Sequence, residues 1–301
     1  MFKPNTFVKA TTSTLAACLL MACGASDDST SNENLSPSED IKYTLSLASS
    51  DNGNTGIIGK SIYSINVKDL DGIAVYGETP TLKPMMNMTS GMNHGAPHLG
   101  CTETDQLGAS ECTVYFSMAS SMKNGNEEVM IMGTWTVEVE LANAVALSFS
   151  PNVTMPMVET SKAVLKGTSE TGDTVGGIPR SYIILNTAPE MIMPTRSVEL
   201  FIATKEGMNF PTLAISTTLS EDTADALSID SINVLVSADK DAADEDWAAA
   251  TPDSKGIWTA NINGYTDAFY VKLSVNGDAK MTNGLDYATF SKTSSMSDMN
   301  H

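Results

Sequence analysis

The chain has 301 residues, and 36 acidic against 17 basic side chains give it a formal net charge of −19. That balance excludes nucleic-acid binding, which needs a cationic footprint, and it disfavours direct docking on anionic lipid. An acidic surface instead raises the local concentration of cations and steers them inward.

At the N-terminus, Lys3 and Lys9 precede or flank a short apolar run around Leu15–Met21 that ends Leu20-Met21-Ala22-Cys23. The run is too short to span a bilayer. Small and apolar residues before a cysteine, followed by the polar segment GASDDSTSNENLSPSED, resemble the lipobox of bacterial lipoproteins. The resemblance implies a lipoprotein signal peptide over residues 1–22, cleavage before Cys23 and lipid on Cys23. Gly24, which is not aspartate, resembles the outer-membrane sorting class, so the expected location is the outer membrane, facing the periplasm or the cell surface. An ordinary cleaved signal peptide is the alternative. Residues 23–40 carry almost nothing to bury and read as a flexible tether.

Beyond the tether the chain is short-period and strand-like. The predicted strands are Lys60–Val67, Gly72–Gly77, Cys112–Met118, Val129–Leu141, Ala144–Phe149, Ser181–Leu185, Ser197–Ala203, Leu213–Thr218, Leu227–Val236, Ile257–Ile262 and Ala268–Val275. Apolar and polar residues alternate in many of them, β-branched and aromatic types recur, and Asn-Gly, Asp-Gly and Pro turns separate them. Helical candidates are confined to Asp222–Ala226 and Asp241–Ala250. Many short strands with turn signals predict an all-β chain of antiparallel sandwiches.

A weak echo predicts two of them. Gly133-Thr134-Trp135-Thr136-Val137-Glu138-Val139 matches Gly256-Ile257-Trp258-Thr259-Ala260-Asn261-Ile262, and an apolar strand follows each. Each Trp shares a strand face with the residues two and four positions on, which is the pattern of core packing. The expectation is two immunoglobulin-like antiparallel β-sandwich domains, at 41–155 and 156–290, joined near Pro151–Pro156, with a flexible tail over 291–301. Chance similarity of a short motif is the alternative.

Export changes the cysteine arithmetic. Cys18 leaves with the signal and Cys23 carries lipid, so Cys101 and Cys112 remain, and in an oxidising compartment they read as a disulfide closing the loop TETDQLGASE. A reduced pair ligating metal is the alternative.

The stretch most concentrated in chemistry is Pro84–Gly100, PMMNMTSGMNHGAPHLG, which contains Met85, Met86, Met88 and Met92 together with His94 and His98. Thioether sulfur is soft and imidazole borderline, a pairing that suits copper, Cu(I) above all with Cu(II) second, better than magnesium or calcium. Gly91, Gly95, Pro97 and Gly100 exclude a stable helix, so the stretch reads as a loop that folds back before the disulfide. In an extended segment Met86 and Met88 share a face and Met85 points the other way. The candidate ligands are therefore His94, His98, Met88 and Met92, with Met86 next. Zinc held by His94, His98 and an acidic side chain is second to copper, and exposed loop histidines among adaptable core methionines are the reading without metal.

Pro84-Met85-Met86-Asn87-Met88 through Met92-Asn93-His94-Gly95-Ala96-Pro97 resembles the Met/His-Gly-x-Pro segment of exported YtkA-like and FixH-like β-sandwich domains. The likeness covers about residues 60–150, with Trp135 in place of the family's downstream Trp strand. It implies copper handling or oxidase assembly. The loop between Cys101 and Cys112, the second body domain and the lipid anchor depart from the family pattern.

Weaker candidates are the Met296, Met299 and His301 tail, the Met191/Met193 pair beside Pro194, and the acidic run Asp239, Asp241, Asp244, Glu245, Asp246. The acidic run lacks the spacing of a calcium loop and reads as solvated. No hydrolase, phosphate-loop or dinucleotide signature is present, so the chain reads as a non-enzyme. The expected role is an exported lipid-anchored protein that carries, delivers or sequesters copper, with a copper donor or recipient protein as partner. The alternative is a metal-free surface lipoprotein acting as an adhesion or assembly module.

Overall fold

The structure, a computed structural model, describes residues 41–48, 53–123, 128–156, 160–170, 172–187, 195–220, 224–264 and 268–291. The signal segment, Cys23, the tether, Met191, Met193 and the tail from 292 with Met296, Met299 and His301 lie outside the described residues.

The fold is all-β, and the described residues between 41 and 291 belong to one compact unit. The N-terminal half contains β1 (Tyr43–Leu47), β2 (Thr55–Ile57), β3 (Gly59–Asp69), β4 (Thr81–Met88), β5 (Asn93–Gly95), β6 (His98–Cys101), β7 (Ala109–Phe116), β8 (Ser121–Lys123), β9 (Val129–Ile131), β10 (Gly133–Glu140), β11 (Leu147–Phe149) and β12 (Asn152–Thr154). Two antiparallel sheets form from them, in the orders β1-β3-β7-β6 and β11-β10-β4-β5. Period-2 alternation decides which side chains meet between them. Tyr63, Ile65 and Val67 of β3 and Cys112, Val114 and Phe116 of β7 are buried, as are Leu82 and Met86 of β4 and Trp135, Val137 and Val139 of β10.

In the C-terminal half one sheet runs Lys162–Lys166, Ser181–Asn186, Thr195–Thr204, Ile257–Asn263, Thr251–Pro252 in spatial order. The other is built on Ile232–Ser237 and Ala268–Val275, with Ala248–Ala249 beside the first, and Asp278–Ala279 and Ala288–Ser291 both pairing with the second. Leu200, Ile202, Trp258, Val234, Phe269 and Leu273 belong to one core cluster between them. Each echoed Trp therefore packs in the core of its own half.

A third cluster joins the halves. β7 buries Tyr115 on the face opposite Val114, and Ser181–Asn186 turns Ile183 and Leu185 away from its neighbours Tyr182 and Ile184. Tyr115 stacks on Phe201 with ring centroids 4.3 Å apart, beside Ile183, Leu185 and Ala203. Both strands are apolar on two faces because both faces are covered.

The C-terminal half also buries charge. Asp173 accepts from Arg180 at 3.0 Å, from Lys280 at 2.7 Å and from the Tyr182 hydroxyl at 2.8 Å, with all three charged side chains at most 2% exposed. Arg180 also pairs with Glu206 and donates to the Asp225 carbonyl at 2.6 Å. Burial, reinforced by Asp173, raises the Tyr182 hydroxyl above its ordinary pKa.

Among the segments that differ from the sequence expectation, four stand out. Gly72–Gly77 is a turn and coil, because the Asp69 carboxylate takes the Asp71 and Ile73 amides at 3.0 and 2.8 Å and offers the backbone a local alternative to a ladder. Leu213–Thr218 is mostly loop, with only Thr218 entering a two-residue strand. Asp241–Ala250 holds a single 3-10 turn at Asp244–Asp246, then a short strand at Ala248–Ala249. Most important, Pro84–Gly100 is not a loop: its first part is the end of β4, and β5 folds back onto it as a hairpin.

Candidate metal centre

The β4–β5 hairpin pairs Met85 with Gly95, Met86 with His94 and Asn87 with Asn93. It closes through Met88 N–H to the Met92 carbonyl at 2.9 Å and Gly91 N–H to the Met88 carbonyl at 3.0 Å, with Gly91 at φ 82°, the left-handed region that favours glycine. Directly opposed residues of an antiparallel pair share a face. Met86 and His94 therefore lie on the inner face, and alternation places Met88 and Met92 on the same face one step toward the turn.

The neighbouring strand completes this face. Trp135 is in register with Met86, and Gly133 with Met88. A Cβ at Gly133 would come within 2.5 Å of the Asn87 carbonyl oxygen and 3.0 Å of the Met86 methyl, so only glycine lets β10 lie this close. The row Trp135, Met86, His94 crosses three strands. Exposure rises along the methionines toward the turn: Met86 is 0% exposed, Met88 half-buried and Met92 62% exposed.

His94 is the most informative side chain in the row. Its Nδ1 lies 2.8 Å from the Gly95 carbonyl oxygen. A carbonyl only accepts, so Nδ1 carries the proton and Nε2 presents its lone pair. That Nε2 is buried without a hydrogen-bond partner. The ring meets Trp135 edge-on at 5.4 Å between centroids, and Phe210 of the C-terminal half at 6.2 Å. A buried imidazole acceptor in an aromatic niche, with its other nitrogen fixed by a carbonyl, is the usual preparation of a metal ligand.

His98 lies elsewhere. The chain crosses from one sheet to the other at Ala96–Pro97, and His98 opens β6 opposite Val114. The structure thus brings Met86, Met88, Met92 and His94 to one face and sets His98 on the other sheet. His98 is solvent-exposed over much of its surface, yet atoms packed around its ring lower its pKa below the ordinary histidine value. Cys101 and Cys112, opposed across β6 and β7, form a disulfide with Cα atoms 3.9 Å apart, which fastens the His98 strand to the core.

Among the described residues no group of three or more His, Cys, Asp or Glu side chains comes together, so the zinc set of His94, His98 and an acidic residue is not assembled there. Lys272 reaches Asp244 and Asp286 at 3.5 and 3.4 Å and lies over Trp247 at 4.5 Å, which gives part of the acidic run a cationic neighbour. Sequence reasoning missed Phe210 and Met208, which sit against the hairpin through the hydrogen bond from Gly95 N–H to the Met208 carbonyl at 3.1 Å. No local pattern marks residues more than a hundred positions downstream as neighbours of His94.

No protein-family model matches the chain, and no curated protein matches it. Among solved structures, the native conformation of E. coli alpha-2-macroglobulin is similar at 12% identity and a TM-score of 0.27. The match covers 80% of this chain, which spans 14% of that one.

Proposed function

We propose that this protein is an exported, lipid-anchored copper-binding protein that carries, delivers or sequesters Cu(I) through the inner face of the β4–β5 hairpin. The observation that carries the reading is the buried, unpartnered Nε2 of His94. An unsatisfied buried acceptor costs about 1–3 kcal/mol, a cost that a bound cation would remove. Met86 and Met88 stand on the same face as soft donors, with Met92 at the rim. His94, Trp135 and Phe210 form a water-poor aromatic wall, which favours a weakly hydrated soft ion over Cu(II), whose usual ligands are nitrogen and oxygen.

On this reading His94 binds through Nε2, the Gly95 carbonyl holds its ring, and the exposed Met92 is the first contact for an arriving ion. Carriage needs no catalytic residue, and a donor or recipient protein would meet the Met92 end. The YtkA-like and FixH-like resemblance of residues 60–150, the lipid on Cys23 and an outer-membrane location belong to the same proposal.

Anaerobic Cu(I) competition titration tests it. The wild type should bind tighter than micromolar. His94→Ala should weaken binding by more than about 100-fold, because losing even an outer-shell partner typically costs about 10–100-fold. Wild-type binding no tighter than micromolar, or unchanged binding by His94→Ala, would sink the proposal.

One observation favours the metal-free adhesion or assembly module. The β8–β9 hairpin exposes Met122, Val129, Met130 and Ile131 at 42%, 60%, 52% and 57%. An apolar patch of this kind marks a protein contact. Under that reading, Met130→Lys removes partner binding and leaves any copper affinity unchanged.

A further inference from the structure

The hairpin's inner face leaves other soft donors unused. His98, Met85 and Met208 all line one cavity of about 890 Å³, together with Gly95, Glu206 and Asp225. We infer that this cavity is a second soft-cation site, with the His98 imidazole and the Met85 and Met208 thioethers as its donors and a monovalent d10 cation as its ligand. The choice of copper as that cation rests on the reading of the hairpin given above; the donor set does not.

The arrangement follows from register. Met85 faces away from Met86 and is directly opposed to Gly95. Gly95 N–H in turn donates to the Met208 carbonyl at 3.1 Å. Met85 and Gly95 therefore stand on paired strands, Met208 stands on a turn beside them, and the middle residue has no side chain. A Cβ at Gly95 would meet the Met208 carbonyl oxygen at 3.1 Å and the Pro84 carbonyl oxygen at 3.4 Å. Glycine thus lets the Met208 turn lie close against the β4–β5 pair.

Met208 is presented by a rigid turn. Glu206 and Asn209 exchange backbone hydrogen bonds at 2.9 and 3.0 Å, with Gly207 at φ 61°. The Glu206 carboxylate is held from below by buried Arg180 and from the side by the Ser220 hydroxyl. Met85 and Met208 are nonetheless 38% and 48% exposed. A fixed turn that holds a large, half-exposed thioether on the lining of a cavity also lined by a second methionine and an imidazole presents donors rather than core filler. Glu206 and Asp225 add carboxylates to the lining, while the cationic Lys83 is paired with Glu140 at 2.6 Å. Glu206 is itself paired with Arg180, so the soft donors, not net charge, set the choice of ligand.

Silver(I) titration of the full chain carrying 13C-methyl methionine separates the two sites, because each methionine methyl reports its own sulfur. The expected result is two equivalents bound, with the Met85 and Met208 methyls shifting alongside Met86 and Met88. His98→Ala and, separately, Met208→Leu should each remove one equivalent and the Met85 shift while leaving the Met86 and Met88 shifts intact. Stationary Met85 and Met208 methyls at saturation overturn the second site whatever the stoichiometry. Shifts at Met85 and Met208 with none at Met86 and Met88 uphold it and overturn the hairpin reading, and a spectrum unchanged throughout overturns both.

Discussion

Met86 serves two demands at one position. It is 0% exposed in the core beside Trp135 and opposite His94, so it both fills space and can offer sulfur. Two substitutions separate these roles. Met86→Ala should cost about 2–5 kcal/mol of stability in urea unfolding. Met86→Leu conserves volume and should cost less than about 1.5 kcal/mol, yet lower Cu(I) affinity at least severalfold in the same titration. Equal Cu(I) affinities for wild type and Met86→Leu would make Met86 a core residue alone. Asp173 carries a different burden at the same scale. It lies between buried Arg180 and Lys280, so Asp173→Ala leaves Lys280 without its carboxylate and Arg180 with Glu206 alone, and should cost about 3–5 kcal/mol in denaturant unfolding. Tyr115 shows the opposite case. Its hydroxyl is buried without a hydrogen-bond partner, and burial, then Asp253 and Glu199, raise its pKa. Tyr115→Phe should therefore leave stability unchanged or slightly increased, because it removes an unsatisfied group and keeps the ring.

At the level of strands and hairpins, the disulfide and the glycines set the geometry of the candidate centre. Cys101–Cys112 closes a short loop of sequence separation 11 and pins the edge strand β6 to β7. The double replacement Cys101→Ala/Cys112→Ala should cost about 3 kcal/mol, the order expected for so short a closed loop, measured as a lowered urea midpoint. The cysteine pairing was expected from the sequence, on the reading of an exported chain, and the two cysteines do form the bond. The hairpin was not expected. Gly91, Gly95, Pro97 and Gly100 read as a loop, whereas Pro84 lies buried within β4, Gly91 makes the turn of a hairpin and Gly95 admits the Met208 carbonyl. Glycine and proline report local backbone freedom, and the ladder partner that makes use of that freedom is a tertiary fact.

For the molecule as a whole, the cluster around Tyr115 and Phe201 couples two sheet systems that each have their own core. With this contact intact the chain should unfold in one cooperative transition. Tyr115→Ala removes a fully buried ring, should cost about 3–5 kcal/mol, and should separate the two halves into two transitions seen by Trp135 and Trp258 fluorescence. A single transition in that variant would show that the halves are coupled by other contacts. The contact also ties the second half to the candidate centre, since Phe210 packs on the same cluster and faces His94.

The amino-acid sequence by itself determined the all-β class, the inward position of both echoed tryptophans, the disulfide and the co-facial pair Met86 and Met88. The strand features follow from period-2 alternation, and the disulfide from the expectation that two nearby cysteines of an exported chain pair. Only the tertiary structure decided that His94 and His98 part company onto different sheets. Only it placed Met208 and Phe210 against the hairpin and left one imidazole nitrogen buried without a partner. Those outcomes depend on which strands lie side by side. Spacing along the chain does not encode that, because β5 and β6 follow one another yet join different sheets, and the neighbours β10 and Met208 come from segments far away in sequence.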